Sequence, residues 1–153
     1  MGNMLFTGFP GFLASNLIKE LRQQDAVSKI YVLVLPSQLP KAKEVIEEIG
    51  QDGKDIPIIP IEGDITLPNA GLLEETMEQL VQEVEYIWHL AAIYDLAVPK
   101  DLAWKVNVHG TDIMNHFALK FQISKGICIL ALPTWQVLVK ESFWRLNWCN
   151  LQA

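Results

Sequence analysis

Cysteine is scarce in this chain: of 153 residues, two are cysteines, Cys128 and Cys149. A pair so placed supplies neither the disulfide framework of a small secreted fold nor the ligand set of a zinc site. Positive charge is short as well. Twelve Lys and Arg face 18 Asp and Glu, for a net charge of -6, which provides no general attraction for nucleic acid or an anionic membrane surface. No apolar run reaches the roughly 20 residues that span a bilayer. The opening MGNMLFTGF lacks the basic region and long apolar stretch of a signal peptide. The expectation is a cytoplasmic protein with no nucleic-acid partner and no transmembrane segment. Internal repeats, low-complexity tracts and Gly/Ser linkers are also missing, and one domain is the default at this length. Histidines are few and isolated. His89, His109 and His116 are not spaced as metal ligands, so no metal is expected. The Glu44, Glu47, Glu48 and Glu74, Glu75, Glu78 groups read as solvated helix faces.

Short apolar runs rich in branched side chains alternate with longer amphipathic stretches, the pattern of strands alternating with helices. Strands are expected at Met4 to Thr7, Ile30 to Leu35, Pro57 to Ile61 and Glu85 to Leu90. Helices are expected at Phe12 to Gln24, Pro40 to Gly50, Leu72 to Glu83 and Lys100 to Lys120. Right-handed crossovers would build these into an α/β fold: a doubly wound, Rossmann-like parallel sheet, cut short at about five strands.

The stretch LFTGFPGFLAS runs from a strand through Gly8 and Gly11 to Ala14 where a helix must begin. Gly8 suits a tight turn, Gly11 lets a main chain approach a pyrophosphate, and Ala14 allows close packing of helix on strand. Phosphates would meet the free N–H groups and positive end of that helix. The competing reading is a plain strand-to-helix turn. TGFPGFLA is followed by GDIT at Gly63 to Thr66, HLAA at His89 to Ala92 and VNVHGT at Val106 to Thr111. In that order the motifs resemble the extended short-chain dehydrogenase/reductase superfamily, and within it the thioester reductase and fatty acyl-CoA reductase branch, over about the first 120 residues.

The resemblance implies a dinucleotide held by Thr7, Gly8, Phe9, Pro10, Gly11, Phe12 and Leu13. It places Asp64 and Ile65 beside the adenine, and Leu90, Ala91 and Ala92 along the path to the nicotinamide. Asn107 would hold a water or backbone group of a proton relay. Taken singly, Asp64 could equally be a turn residue and Asn107 a solvated helix residue. No Asp or Glu occurs between Asp25 and Glu44, the region that follows the second strand, so repulsion of a 2'-phosphate is missing. Ser37, Lys41 and Lys43 could contact such a phosphate, and NADP(H) is expected in preference to NAD(H).

The implied activity is reduction of an acyl thioester or related carbonyl, which in this superfamily needs a Ser or Thr, a Tyr, and a Lys four residues after the Tyr. That pair is missing. Tyr31, Tyr86 and Tyr94 have no lysine at that spacing. Residues 1–121 therefore read as the dinucleotide half of a reductase, inactive alone; the acyl thioester belongs to the intact enzyme. The alternative is a non-catalytic NADP(H)-binding module with a Trp-rich interaction tail, and a third reading is an unstable fragment with an uncovered sheet edge.

Residues 122–153 stand apart. Trp135, Trp144, Trp148 and both cysteines fall there, and the strand resembling YFSTAYV expected after the Asn107 helix is not found in the present frame. With third bases chosen freely, FQISKGICILALPTWQV back-translates to codons that yield FPNLKRYLYFSTAYVAG when one T is restored. The expectation is an out-of-frame tail after Phe121. Against it stands selected sequence, with GICILAL as a fifth strand and VLVKESFWRLNW as a short amphipathic helix.

Overall fold

The structure is a computed structural model that describes residues 2–93, 95, 97–121 and 126–129. Its sheet holds β1 (Gly2–Thr7), β2 (Val27–Val34), β3 (Ile58–Glu62), β4 (Tyr86–His89) and β5 (Gly126–Ile129). The order is β3-β2-β1-β4-β5, and every pairing is parallel. β5 falls within GICILAL. The amphipathic helix suggested for VLVKESFWRLNW lies outside the described residues, as does Tyr94.

Because helices cover both faces, the central strands are apolar on both sides instead of alternating with polar residues. β1 shows this directly: Met4 and Phe6 enter one core and Leu5 the other. On the Phe6 face pack α1 (Phe12–Gln23) and α2 (Leu39–Gly50), through Ala14 and Ile18 and through Ala42 and Ile49. On the Leu5 face pack α3 (Glu74–Glu83), through Met77 and Leu80, and α5 (Thr111–Ala118), through Met114, Phe117 and Ala118. These spacings of three, four and seven residues are those of a single helix face.

Element boundaries differ from expectation in three informative places. The helix expected from Lys100 to Lys120 is α4 (Lys100–Trp104), then a π-helical turn over Lys105–Gly110, then α5. α3 begins at Glu74 and not at Leu72. Asn69, Ala70 and Gly71 before it form a left-handed turn with φ of 54°, 56° and 68°, and the chain leaves that turn extended through Leu72 and Leu73. Glu74 and Glu75 then fall in the first turn, where the helix dipole favours them. β2 starts three residues early, because Val27 is buried and pairs with Gly2.

Two polar knots brace the layers away from the carboxyl ends of the strands. Arg22, near the end of α1, is buried and binds Asp52, the Lys54 carbonyl and the Ile56 carbonyl in the segment leading to β3. Tyr31 donates to Glu83 at 2.5 Å, and Lys29 binds the same carboxylate at 2.6 Å. Those two hydrogen bonds from Lys29 and Tyr31, with a third that Gln79 Nε2 donates at 3.0 Å, hold the Glu83 carboxyl at about 2. Tyr31 is thereby committed where α3 hands over to β4.

Candidate functional site

The strand order reverses between β1 and β4: the chain winds outward through β2 and β3, then returns to β1's other side. Ligands of such sheets bind outside the carboxyl ends of the strands at this point. A cleft of about 290 Å3 lies there, lined among others by Thr7, Gly8, Leu33, Gly63, Asp64 and Ala91.

Its sharpest turn is the glycine loop. Gly8 has φ of +83°, and the Gly11 N–H donates to the Gly8 carbonyl at 2.8 Å. A Cβ on Gly8 would sit 2.7 Å from the Leu90 carbonyl carbon and oxygen, and one on Gly11 would sit 2.5 Å from the Gly8 oxygen. Both glycines are thus required by space, and Gly8 by conformation too. α1 then begins at Phe12 with no side-chain cap at Gly11 and no acidic residue in its first turn. An uncapped helix start behind a tight glycine turn fits a pyrophosphate, which would take the free N–H groups.

Behind the loop, hydrogen bonds join three elements. Thr7 Oγ1 lies 2.7 Å from His89 Nδ1 and accepts from the N–H groups of Leu90 at 3.1 Å and Ala91 at 3.2 Å. His89 Nε2 lies 3.2 Å from Thr111 Oγ1, which donates to the Asn107 carbonyl at 2.8 Å. Counting hydrogens fixes the ring. Thr111 spends its proton on Asn107 and must accept from Nε2–H; Thr7 spends both acceptor sites on the two amides and must donate to a bare Nδ1. Desolvation moves the His89 pKa from 6.5 down to about 4, keeping the ring neutral.

This histidine gives a stability prediction. The folded pKa is depressed and the charged form is the protonated one, so the unfolded chain takes up a proton first as pH falls. Stability is complete above about 6.5 and is lost as pH falls toward 4, by about 3 kcal/mol in all. Urea unfolding of the wild type and His89→Gln across this range checks it: the variant should lack this pH dependence.

Asn107, in the π turn, accepts from the Ile93 N–H at 2.8 Å and donates to the Ile93 carbonyl at 2.9 Å. Its carboxamide thereby grips the loop after β4. Asp64 Oδ1 accepts from the Thr66 N–H at 2.8 Å and hydroxyl at 2.7 Å, a turn built by its own side chain at the edge of the cleft. Ile65 reaches back beneath the π turn, where a Cβ on Gly110 would be 3.0 Å from it.

Of the residues expected to hold the dinucleotide, Thr7, Gly8, Phe9, Pro10 and Gly11 line the cleft, with Asp64, Ile65, Ala91 and Ala92. The others stand outside that lining. Phe12 and Leu13 are exposed on the first turn of α1, and Leu90 is buried in the core and meets Gly8 through its backbone. Ser37 is exposed, as are Lys41 and Lys43. Beyond the second strand, Leu35 and Gln38 line the cleft instead. Ile93 and Val106 also line it and were not among the expected site residues, although Ile93 follows the HLAA motif directly and Val106 opens VNVHGT. No group of three or more His, Cys, Asp or Glu able to hold a metal occurs among the described residues, and no helix among them is long and apolar enough to cross a membrane.

Comparison with known proteins agrees with this geometry. Fatty acyl-CoA reductase 1 of Arabidopsis thaliana is 30% identical over 156 residues, covering 88% of this chain and 31% of that protein. Fatty acyl-CoA reductase 2, chloroplastic, of the same plant is 32% identical over 138 residues, covering 76% and 22%. Among solved structures, the terminal R domain from the myxalamid PKS-NRPS biosynthetic pathway has a TM-score of 0.68 at 26% identity, covering 84% of this chain and 34% of that one. The reductase domain of a non-ribosomal peptide synthetase from Mycobacterium tuberculosis has a TM-score of 0.65 at 20% identity over 84% and 32%, a likeness of fold. The chain spans about a third of these solved structures and of the first relative, and less of the second. The NAD-binding family described as male sterility protein matches residues 6–141, taking in the glycine turn, the seam behind it and the Asn107 turn. The chain belongs to that family.

Proposed function

We propose that this chain is the dinucleotide-binding part of an NADP(H)-dependent reductase of acyl thioesters or related carbonyls. The observation that carries the reading is the uncapped start of α1 behind the Gly8 turn, set at the point where the strand order reverses. The names of the similar fatty acyl-CoA reductases and of the R domains support the substrate class. The first-turn N–H groups of α1 would take the pyrophosphate, and Asp64 and Ile65 would border the adenine. Ala91 and Ala92 would lead toward the nicotinamide, which supplies hydride when bound. Asn107 holds the Ile93 segment beside that path. NADP(H) is favoured because Gln38, and no acidic side chain, lines the cleft after β2.

The sequence offers no Tyr with a Lys four residues on, so binding without turnover is expected. NADPH should quench or sensitise protein fluorescence saturably, while an acyl thioester added to the complex should leave NADPH absorbance unchanged. Absence of saturable binding would overturn the reading, and sustained NADPH oxidation would overturn the inactivity. Gln38→Asp is expected to weaken NADPH by roughly tenfold relative to NADH, through repulsion of the 2'-phosphate.

Binding without turnover is also what a regulatory NADP(H)-binding module would show. That module, with a Trp-rich interaction tail, is the alternative reading. The out-of-frame reading of residues 122–153 rests on the back-translation that yields FPNLKRYLYFSTAYVAG when one T is restored, and GICI can pair as β5 whatever its origin because it is apolar and branched. Resequencing the DNA across the Phe121 codon decides it: continuation into STAYV and a later Tyr-x-x-x-Lys assigns the activity to the restored enzyme, and its absence leaves the tail genuine.

A further inference from the structure

The Leu90–Ile93 segment forms a wall of the cleft through Ala91, Ala92 and Ile93. It is held at both ends. Thr7 takes the Leu90 and Ala91 N–H groups, and Asn107 takes the N–H and carbonyl of Ile93. Those two holders sit on β1 and on the π turn, and nothing in their own bonds to the segment ties one to the other. The tie is Thr111. Its hydroxyl binds the Asn107 carbonyl on one side and His89 Nε2 on the other, and His89 Nδ1 reaches Thr7. The hydrogen bonds therefore close a circuit around the wall.

We propose that Thr111 is a positioning residue for the dinucleotide site, acting through His89 and Thr7 on the Leu90–Ile93 wall. The proposal rests on the dinucleotide reading above. With Thr111 present, the imidazole proton belongs on Nε2, the Thr7 hydroxyl points at Nδ1, and both Thr7 acceptor sites stay on the wall. Without the Thr111 oxygen, the Nε2–H loses its acceptor and the ring gains by moving the proton to Nδ1. That move leaves the Thr7 hydroxyl no acceptor there and turns it away from the wall amides.

The test uses the full chain with Thr111→Val, which keeps the shape and removes the hydroxyl, and Thr111→Ser, which restores it. NADPH titration should show Kd raised about tenfold in Thr111→Val and within about twofold of wild type in Thr111→Ser. A purely structural role would lower the melting temperature and leave the Kd of the folded protein unchanged, and that result overturns the proposal. Long-range 1H–15N correlation of His89 in the unliganded wild type should show Nε2 protonated and Nδ1 bare. The opposite tautomer overturns the proposal even if Thr111→Val does not fold, and the expected tautomer together with the Thr111→Ser affinity then supports it. Failure of the wild type to bind NADPH would instead sink the dinucleotide reading.

Discussion

Replacing Arg22 with methionine is expected to cost about 3–5 kcal/mol of unfolding free energy. Arg22 is 1% exposed, and its guanidinium meets Asp52 through two hydrogen bonds of 2.8 and 2.7 Å. It also donates to the carbonyls of Lys54, at 3.0 Å, and Ile56. Methionine replaces the apolar stem and none of these donors, so a carboxylate and two carbonyls lose their partner together. Asp52→Asn should cost less, since that side chain is 25% exposed and water can reach it. The pair also carries a pH signature. The hydrogen bond from Arg22, then the Lys54 N–H, holds the Asp52 carboxyl at about 2 against an ordinary 3.8. A depressed carboxyl contributes stability that is complete above its unfolded value and is lost as pH falls toward the folded one. Glu83 titrates in the same window, so the difference between wild type and Arg22→Met isolates Asp52. Urea unfolding at neutral pH is the first check, and a loss under about 1 kcal/mol would contradict the buried-pair argument.

Gly8→Ala should weaken NADPH on the order of a hundredfold, or about 2.7 kcal/mol. Two terms combine. An L-residue at φ of +83° pays about 1–2 kcal/mol, and the new Cβ meets the Leu90 carbonyl at 2.7 Å. That carbonyl cannot easily retreat, because the amides of Leu90 and Ala91 are held on Thr7. Gly53 separates the terms. It has φ of +76°, and a Cβ added there would meet nothing within 4 Å, so Gly53→Ala should lose stability by the conformational term and keep its NADPH affinity. Equal affinities for Gly8→Ala and Gly53→Ala in a fluorescence titration would remove the steric argument.

How far the sequence reveals this molecule depends on how local each feature is. The β1 to α1 passage is legible because Thr7, Gly8, Gly11 and Ala14 are neighbours, and each has a backbone or packing reason to stand where it does. The alternation of apolar runs and amphipathic stretches likewise announces a parallel sheet. The left-handed turn at Asn69, Ala70 and Gly71 is not announced, since alanine has no preference for positive φ and is held there by its burial in the core. Gln38 faces the cleft where Ser37 does not, because Pro36–Gln38 forms a 3-10 turn in which each residue is rotated by about a third of a turn from its neighbour. The Arg22 to Asp52 pair and the Thr7, His89, Thr111 chain join residues from separate elements, and no spacing rule connects them. His109 and His116 show the converse: composition alone gives no way to tell them from His89, yet they are exposed on the helix surface while His89 is locked in the seam.

The seam at Thr7 and His89 joins residues 82 positions apart. Closing so large a loop carries an entropic cost that the β1 to β4 pairing must offset. The glycine turn is made early in the sequence, but its floor at Leu90 and Ala91 arrives only with β4. The glycine turn is thus a local structure and its wall is not, so the cleft exists only where β1 and β4 are paired.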